Sequence, residues 1–317
     1  MTTALITGIS GQDGSYMAEL LLSKGFNVIG TVKDSDDKGL PEHLVAKVTL
    51  VEMDLSDSNK IDNIIRSYPI SQIYNFAAFS SGEGMFDYPE QIGDINGLAV
   101  TRILQSIHRT NPRIRFCQAS SSEMFGYPRE TPQNELSFFH PRTPYGSAKL
   151  YAHNMIDIYR RQYGLFACSS ILYNHESPRR GINFVTRKVV RAAAAIKLNM
   201  QKNLELGTLD AKRDWGYAKD YVNAMFLMLS QKHPDDYVIA TGVTHSIKEL
   251  CQIAFDYLDL DYTKYVQVTN TGSRAPDSLQ LAGDASKARA NLGWEPTIDF
   301  KQMIHLMVEH ELEDLTS

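Results

Sequence analysis

Residues 4–25 read ALITGISGQDGSYMAELLLSKG. A short apolar run, ALITG (4–8), passes through Gly8-Ile9-Ser10-Gly11-Gln12-Asp13-Gly14 into a helical pattern that stops at Gly25. The turn fits GxxGxxG between a strand and a helix. Its first glycine permits the turn, its second lets backbone approach a pyrophosphate, and its third admits close helix–strand packing. Free N–H groups at the helix start would face the anion. The spacing alone also suits a structural glycine turn. Its place between the right two elements favours a dinucleotide site built from Gly8, Gly11, Gln12, Asp13 and Gly14.

The same alternation continues outward. NVIGTV (27–32), KIDNIIRSYP (60–69), QIYNFAA (72–78), GLAVTRILQSIHR (97–109), RIRFCQAS (113–120), a helix from Pro144 to Tyr163 and LFACSSILYN (165–174) follow in turn. This βαβα succession predicts an α/β protein, a Rossmann-type doubly wound parallel sheet covered by helices on both faces. After Asn174 the texture becomes a polar loop followed by amphipathic helices. The expected division is a dinucleotide-binding domain over 1–174, with 220–242 returning to it. A smaller mixed α/β C-terminal lobe over 175–219 and 243–317 would bind the substrate.

A formal net charge of -5 over 317 residues gives no general reason to expect nucleic acid or an anionic membrane as partner. Cys117, Cys168 and Cys251 lack CxxC spacing and read as buried small hydrophobes. His108, His140, His153 and His175 form no ligand spacing, and no metal is expected. No run reaches the length of a membrane span, and the start TTALITG lacks the pattern of a signal peptide, so a cytoplasmic location is expected.

The second strand runs into GTVKDSDDKG (30–39). A 2′-phosphate wants arginines, whereas a ribose 2′-OH suits a carboxylate. Lys33 and Asp34, followed by Asp36 and Asp37, therefore favour NAD over NADP. In VEMDLSD (51–57), Asp54, with Leu55 beside it, suits the adenine amino group, or alternatively caps the next helix. Asn75-Phe76-Ala77-Ala78 would pass beneath the cofactor, with Ala77 in contact.

YGSAK (145–149) places the Tyr145 phenol and the Lys149 ammonium four residues apart on one helix face. The ammonium favours the phenolate and can hold the nicotinamide ribose. A buried tyrosine beside a snorkelling lysine would give the same spacing. QASSSEMFGYP (118–128) adds hydroxyls and a carboxylate where a strand ends, with Ser121 and Glu123 two residues apart. An alcohol dehydrogenase needs the serine alone. A sugar nucleotide 4,6-dehydratase needs both, because oxidation at C4 acidifies the C5 proton and a carboxylate must then remove it. As a cap or pocket residue, Glu123 would have no such role.

Glycine loop, strand-end hydroxyls and YxxxK, in that order, resemble the extended short-chain dehydrogenases/reductases. More closely, TGISGQDGSYMAELLLSKG, QASSSEMFG, PRTPYGSAKLYAHNMI, NHESPRRGINFVTRK, LGTLDAKRDWGYAKDYV, YVIATG and LAGDASKARANLGWEP are similar to the GDP-mannose 4,6-dehydratase family over nearly the whole chain. The resemblance implies Ser121, Glu123, Tyr145 and Lys149 as catalytic residues and a recycled, tightly bound NAD(P). It implies Asn174, Lys188, Arg213 and Arg274 on the diphosphate and guanosine ribose, with Arg179 and Arg180 as further candidates. Ser80 and Ser81 would lie against the hexose, Ser81 replacing a family histidine, and Asp277 replaces a family glutamate. Lys33-Asp34 stands where the family carries an arginine pair for the NADP phosphate. A related GDP-hexose or GDP-heptose therefore stays open beside GDP-mannose. A C4 dehydrogenase or epimerase, or a nucleotide-binding scaffold, are the competing readings. The YxxxK helix and GLAVTRILQSIHR are expected to pack against their copies as a four-helix bundle in a homodimer, with a tetramer also open.

Overall fold

A computed structural model of the protein describes residues 2–33, 39–79, 86–269 and 281–317. Strand β1 (Thr3–Thr7), TALIT, is buried at every residue, as a central strand covered on both faces must be. Around it lie β2 (Asn27–Val32), β3 (Thr49–Glu52), β4 (Ile70–Asn75), β5 (Arg115–Ala119) and β6 (Ala167–Leu172). The remaining strands are β7 (Asn174–Glu176), β8 (Leu204–Leu206), β9 (Lys212–Tyr217), β10 (Tyr237–Ile239), β11 (Thr244–Ser246) and β12 (Val266–Val268).

Seven strands form one sheet in the order β10-β6-β5-β4-β1-β2-β3, and every neighbouring pair is parallel. The chain steps from β1 to β2 and β3, then crosses back to β4 on the other side of β1. That reversal opens a crevice beyond the carboxyl ends of β1 and β4, the place where such sheets bind ligands. The sheet is Rossmann-type.

Alternation along each strand feeds two separate cores. Ala4 and Ile6 pack with Met17 and Leu21 of the helix Gln12–Ser23 and with Met225 of the helix Ala218–Ser230. Leu5 packs on the opposite face with Ile61, Ile103 and Ile156, from the helices Ser58–Ser67, Ala99–Thr110 and Pro144–Tyr163. Truncating one such side chain to alanine costs about 2–5 kcal/mol.

A third core joins the helices Val185–Lys197, Ile247–Asp256 and Phe300–Thr316 around Trp215, which stacks on Phe300 at 5.5 Å. Here β9 lies between β7, parallel, and β11, antiparallel, while β8 pairs with β12. The stretch after residue 243 does not stay wholly with this lobe. Leu281, Ala285, Ala288, Leu292 and Trp294 pack into the sheet core, and Trp294 Nε1 donates to the Asp220 carbonyl at 2.7 Å. The helical spacing of these residues fixes their apolar face but not which core receives it.

Candidate active site

The glycine turn is a cradle in which side chains do not fit. Gly8 has φ of +67°, and a Cβ there would stand 3.0 Å from Ala77 Cα and N. A Cβ on Gly14 would stand 2.2 Å from the Gly8 carbonyl oxygen. The helix Gln12–Ser23 starts at this turn with no side-chain cap, so its first N–H groups are available to an anion. Those are the requirements of a dinucleotide pyrophosphate, and the residues present fit one.

Strand β7 and the loop after it fasten onto this turn. Gln12 Nε2 donates to the His175 carbonyl at 3.1 Å, and Ser177 Oγ donates to Gln12 Oε1 at 2.8 Å. His175 Nε2 lies 2.9 Å from Asp13 Oδ2 while its Nδ1 meets the Tyr173 carbonyl at 2.7 Å. Burial alone would raise the Asp13 carboxyl, but the charge and hydrogen bond of His175 leave it below its usual range. Burial lowers His175 in turn, and Asp13 more than offsets it, so the imidazole holds its proton above the usual range. Arg179 braces the same contact through Ser15 at 3.1 Å and through Glu19.

The catalytic candidates converge at the end of β5. Ser121 is extended, and its Oγ accepts from the Glu123 N–H at 3.2 Å as the cap of a short 3-10 turn, Ser122–Met124. Tyr145 enters from the first turn of the helix Pro144–Tyr163, which Pro144 and the Thr143 cap begin. Gly146 allows that helix to approach, since a Cβ there would stand 2.5 Å from the Glu123 carbonyl oxygen. The Ser121 and Tyr145 side chains share a hydrogen bond. Lys149, one helical turn on, is buried and donates from Nζ to the Ala119 carbonyl at 2.8 Å.

The electrostatics depart from the expectation drawn from YxxxK. Burial pushes the Tyr145 phenol up to about 12, against the Ser121 hydrogen bond, with the Glu123 charge adding to the rise and Arg180 opposing it. Lys149 Nζ points to the Ala119 carbonyl and lies 5.6 Å from the Tyr145 ring centroid. Burial pushes the ammonium itself down to about 8, opposed by Asp13. The pair is a buried acid beside a buried cation, not a ready phenolate.

On the substrate side, Asn174 of β7 stands in register with Trp215 of β9, two residues from Arg213. Arg213 donates to the Lys212 carbonyl at 2.7 Å. Lys188 points to the Glu205 carbonyl at 3.0 Å on β8. Arg180 lies 3.1 Å from Glu176 and covers the Phe184 ring at 3.5 Å, and its charge reaches both Asp13 and Tyr145. It is thus close enough to the glycine-turn helix and to Tyr145 for its charge to act on both.

A family model described as GDP-mannose 4,6 dehydratase matches residues 5–307. GDP-mannose 4,6 dehydratase 2 of Arabidopsis thaliana is 43% identical over 324 residues, covering 98% of this chain and 87% of that protein. The Homo sapiens GDP-mannose 4,6 dehydratase is 40% identical, covering 98% of this chain and 91% of its own. The chain belongs to the GDP-mannose 4,6-dehydratase family. Among solved structures, the dTDP-glucose 4,6-dehydratase of Bacillus anthracis superimposes with a TM-score of 0.85 at 20% identity, covering 100% of this chain and 98% of that one. The UDP-glucose 4-epimerase of Thermotoga maritima gives 0.88 at 22%, covering 99% and 100%. At such identities the likeness is one of fold.

The remaining residues of this GDP-mannose 4,6-dehydratase family member divide into three groups. Asp54 accepts from Ser56 N at 2.9 Å and Ser56 Oγ at 2.7 Å, while the helix cap is Asp57, which accepts from Asn59 N at 2.8 Å. Leu55 is buried in the core beneath the Ser58–Ser67 helix, and Lys33 is an exposed cation whose charge reaches Asp54. Asp34, Ser80, Ser81, Arg274 and Asp277 lie outside the described residues. Two participants escaped the sequence. His175 was visible only as an isolated histidine. Asp214, beside Arg213, accepts from Thr241 N at 3.0 Å, Gly242 N at 2.9 Å and Gly283 N at 3.2 Å, tying β9 to the loops beyond β10. Among the described residues, no helix is long and apolar enough to cross a membrane.

Proposed function

We infer that the protein is a GDP-mannose 4,6-dehydratase in which Ser121, Glu123, Tyr145 and Lys149 carry the chemistry. The observation that supports this most is the Ser121–Tyr145 hydrogen bond, with Glu123 in the turn that Ser121 caps and near enough for its charge to act on Tyr145. Tyr145, once it has given up its own proton to solvent, takes the C4 hydroxyl proton while Ser121 holds that oxygen. Glu123 then removes the C5 proton made acidic by the C4 ketone, and passes it to the C6 hydroxyl, which leaves as water. The proton held by Tyr145 returns to C5, directly or through solvent, so the net loss is one water. NAD(P), when bound, supplies the redox half by accepting hydride from C4 and delivering it to C6. Gly8, Gly11, Gln12, Asp13, Gly14, Asp54, Leu55, Ala77 and Lys149 would hold it.

Lys33-Asp34 supports NAD over NADP, and the fastening of Gln12 and Asp13 by His175 of β7 supports a retained cofactor. Asn174, Arg180, Lys188 and Arg213 supply the polar and cationic side chains that a GDP-sugar diphosphate requires. A homodimer is supported by Leu98, Tyr151, Ile158 and Tyr163, large apolar side chains 45%, 40%, 48% and 47% exposed on and beside the two helices expected to pair.

The test is one preparation assayed in two ways. Given GDP-mannose, it should form the 4-keto-6-deoxy product without net reduction of added cofactor. Glu123→Gln should lose dehydration by at least a hundredfold while still forming reduced bound cofactor; dehydration at the wild-type rate would remove Glu123 from the mechanism. The mass of the cofactor released on denaturation should be that of NAD, and NADP alone would reverse the reading of Asp34.

A further inference from the structure

Beneath the site runs a line of buried polar side chains with no place in the chemistry above. Thr7, Asn75 and Gln118 sit at the carboxyl ends of β1, β4 and β5, all buried in the middle of the sheet. Apolar side chains would serve the fold there at least as well, so the polar set calls for a reason. The Ala77 N–H donates to Thr7 Oγ1 at 3.1 Å, and Thr7 Oγ1 donates to Asn75 Oδ1. Asn75 Nδ2 donates to Gln118 Oε1 at 2.6 Å, and Gln118 Nε2 donates to the Ala119 carbonyl at 2.7 Å. That carbonyl also receives the Lys149 ammonium at 2.8 Å.

The direction of this chain is not free. An amide can turn over and exchange its oxygen for its nitrogen, but a backbone N–H cannot. A backbone carbonyl is as fixed and can only accept, so Ala119 sets the direction from the far end and the Thr7 hydroxyl is left as the donor to Asn75 Oδ1. Asn75 must then show its nitrogen to Gln118, and Gln118 must show its own nitrogen to the Ala119 carbonyl. The donor end of the chain is thus held beside a buried ammonium. Two donors share one carbonyl oxygen, which weakens its hold on Lys149 and leaves the other lysine protons for ribose hydroxyls.

We propose that Gln118 is a positioning residue for C4 oxidation, acting through Lys149 by sharing the Ala119 carbonyl with it, and that Asn75 and Thr7 hold its amide in place. The proposal rests on Lys149 taking part in that step. The charged and titratable groups around the lysine are Asp13 from the glycine-turn helix and Tyr145 on its own helix, and Tyr145 in turn faces Glu123 and Arg180. None of these is altered by changes at Thr7 or Gln118.

Burial places Lys149 at about 8, so turnover should fall on an alkaline limb near that pH as the ammonium is lost. Gln118→Met removes the second donor to the Ala119 carbonyl, so that oxygen should hold the ammonium's proton more tightly and move the limb upward by roughly half a pH unit or more. KM for the sugar should not change. Thr7→Val leaves the Ala119 carbonyl to orient Gln118 and should leave the limb in place, as should Thr7→Ser. A limb unmoved in Gln118→Met overturns the proposal, as does Thr7→Val moving it as far as Gln118→Met. Gln118→Leu, which removes the same donor, carries the test if Gln118→Met does not fold. Full activity in Lys149→Met would instead remove the lysine from the mechanism.

Discussion

Lys149 shows most sharply how the site sets stability against function. Its folded-state pKa, lowered to about 8, means the folded protein binds fewer protons than the unfolded chain between that value and the ordinary lysine range near 10.5. Stability from this group therefore rises with pH across that window, and the full penalty of burial is present below it. Lys149→Met should abolish turnover yet stabilise the protein at pH 7 by on the order of 1–3 kcal/mol. The stability gain should shrink as pH rises toward 10. Urea melts at several pH values check this, and a variant less stable than wild type at pH 7 would contradict it. The residue types at this site were plain in YGSAK and QASSSEMFGYP. What they could not show was where the lysine points. Its partner is a carbonyl 30 residues away, and burial dominates the charge of its neighbour.

At the scale of elements, legibility followed locality. The strand, turn and helix over residues 4–25 carry their own signals, and the helix Pro144–Tyr163 has the bounds its sequence predicts. Strand β3 is largely exposed and β8 and β12 have three residues each, too little pattern for a reading along one chain. The buried line from Thr7 to Gln118 was invisible for another reason: its links join residues 68 and 43 positions apart. The helix pair makes its own prediction. Leu98, Tyr151 and Ile158 leave apolar surface that the sheet does not cover. Sedimentation at micromolar concentration should give a dimer or a multiple of it, and Ile158→Glu should shift it toward monomer by tenfold or more in dissociation constant. A wild-type monomer at that concentration would contradict the bundle.

For the whole molecule, the sheet supplies a crevice beside β1 and β4, β7 and the loop after it fasten over the glycine turn, and β7 and β9 carry Asn174 and Arg213 on paired strands. Oxidation, water loss and reduction would then follow one another at a single site. Its central claim is that hydrogen leaving C4 returns to C6 of the same sugar. GDP-mannose carrying deuterium at C4, turned over by the wild-type protein in ordinary water, should give a 4-keto-6-deoxy product with the deuterium at C6 and a proton at C5. Deuterium lost to free cofactor or solvent, with C6 still bearing its hydroxyl, would contradict dehydration and leave simple C4 oxidation in its place.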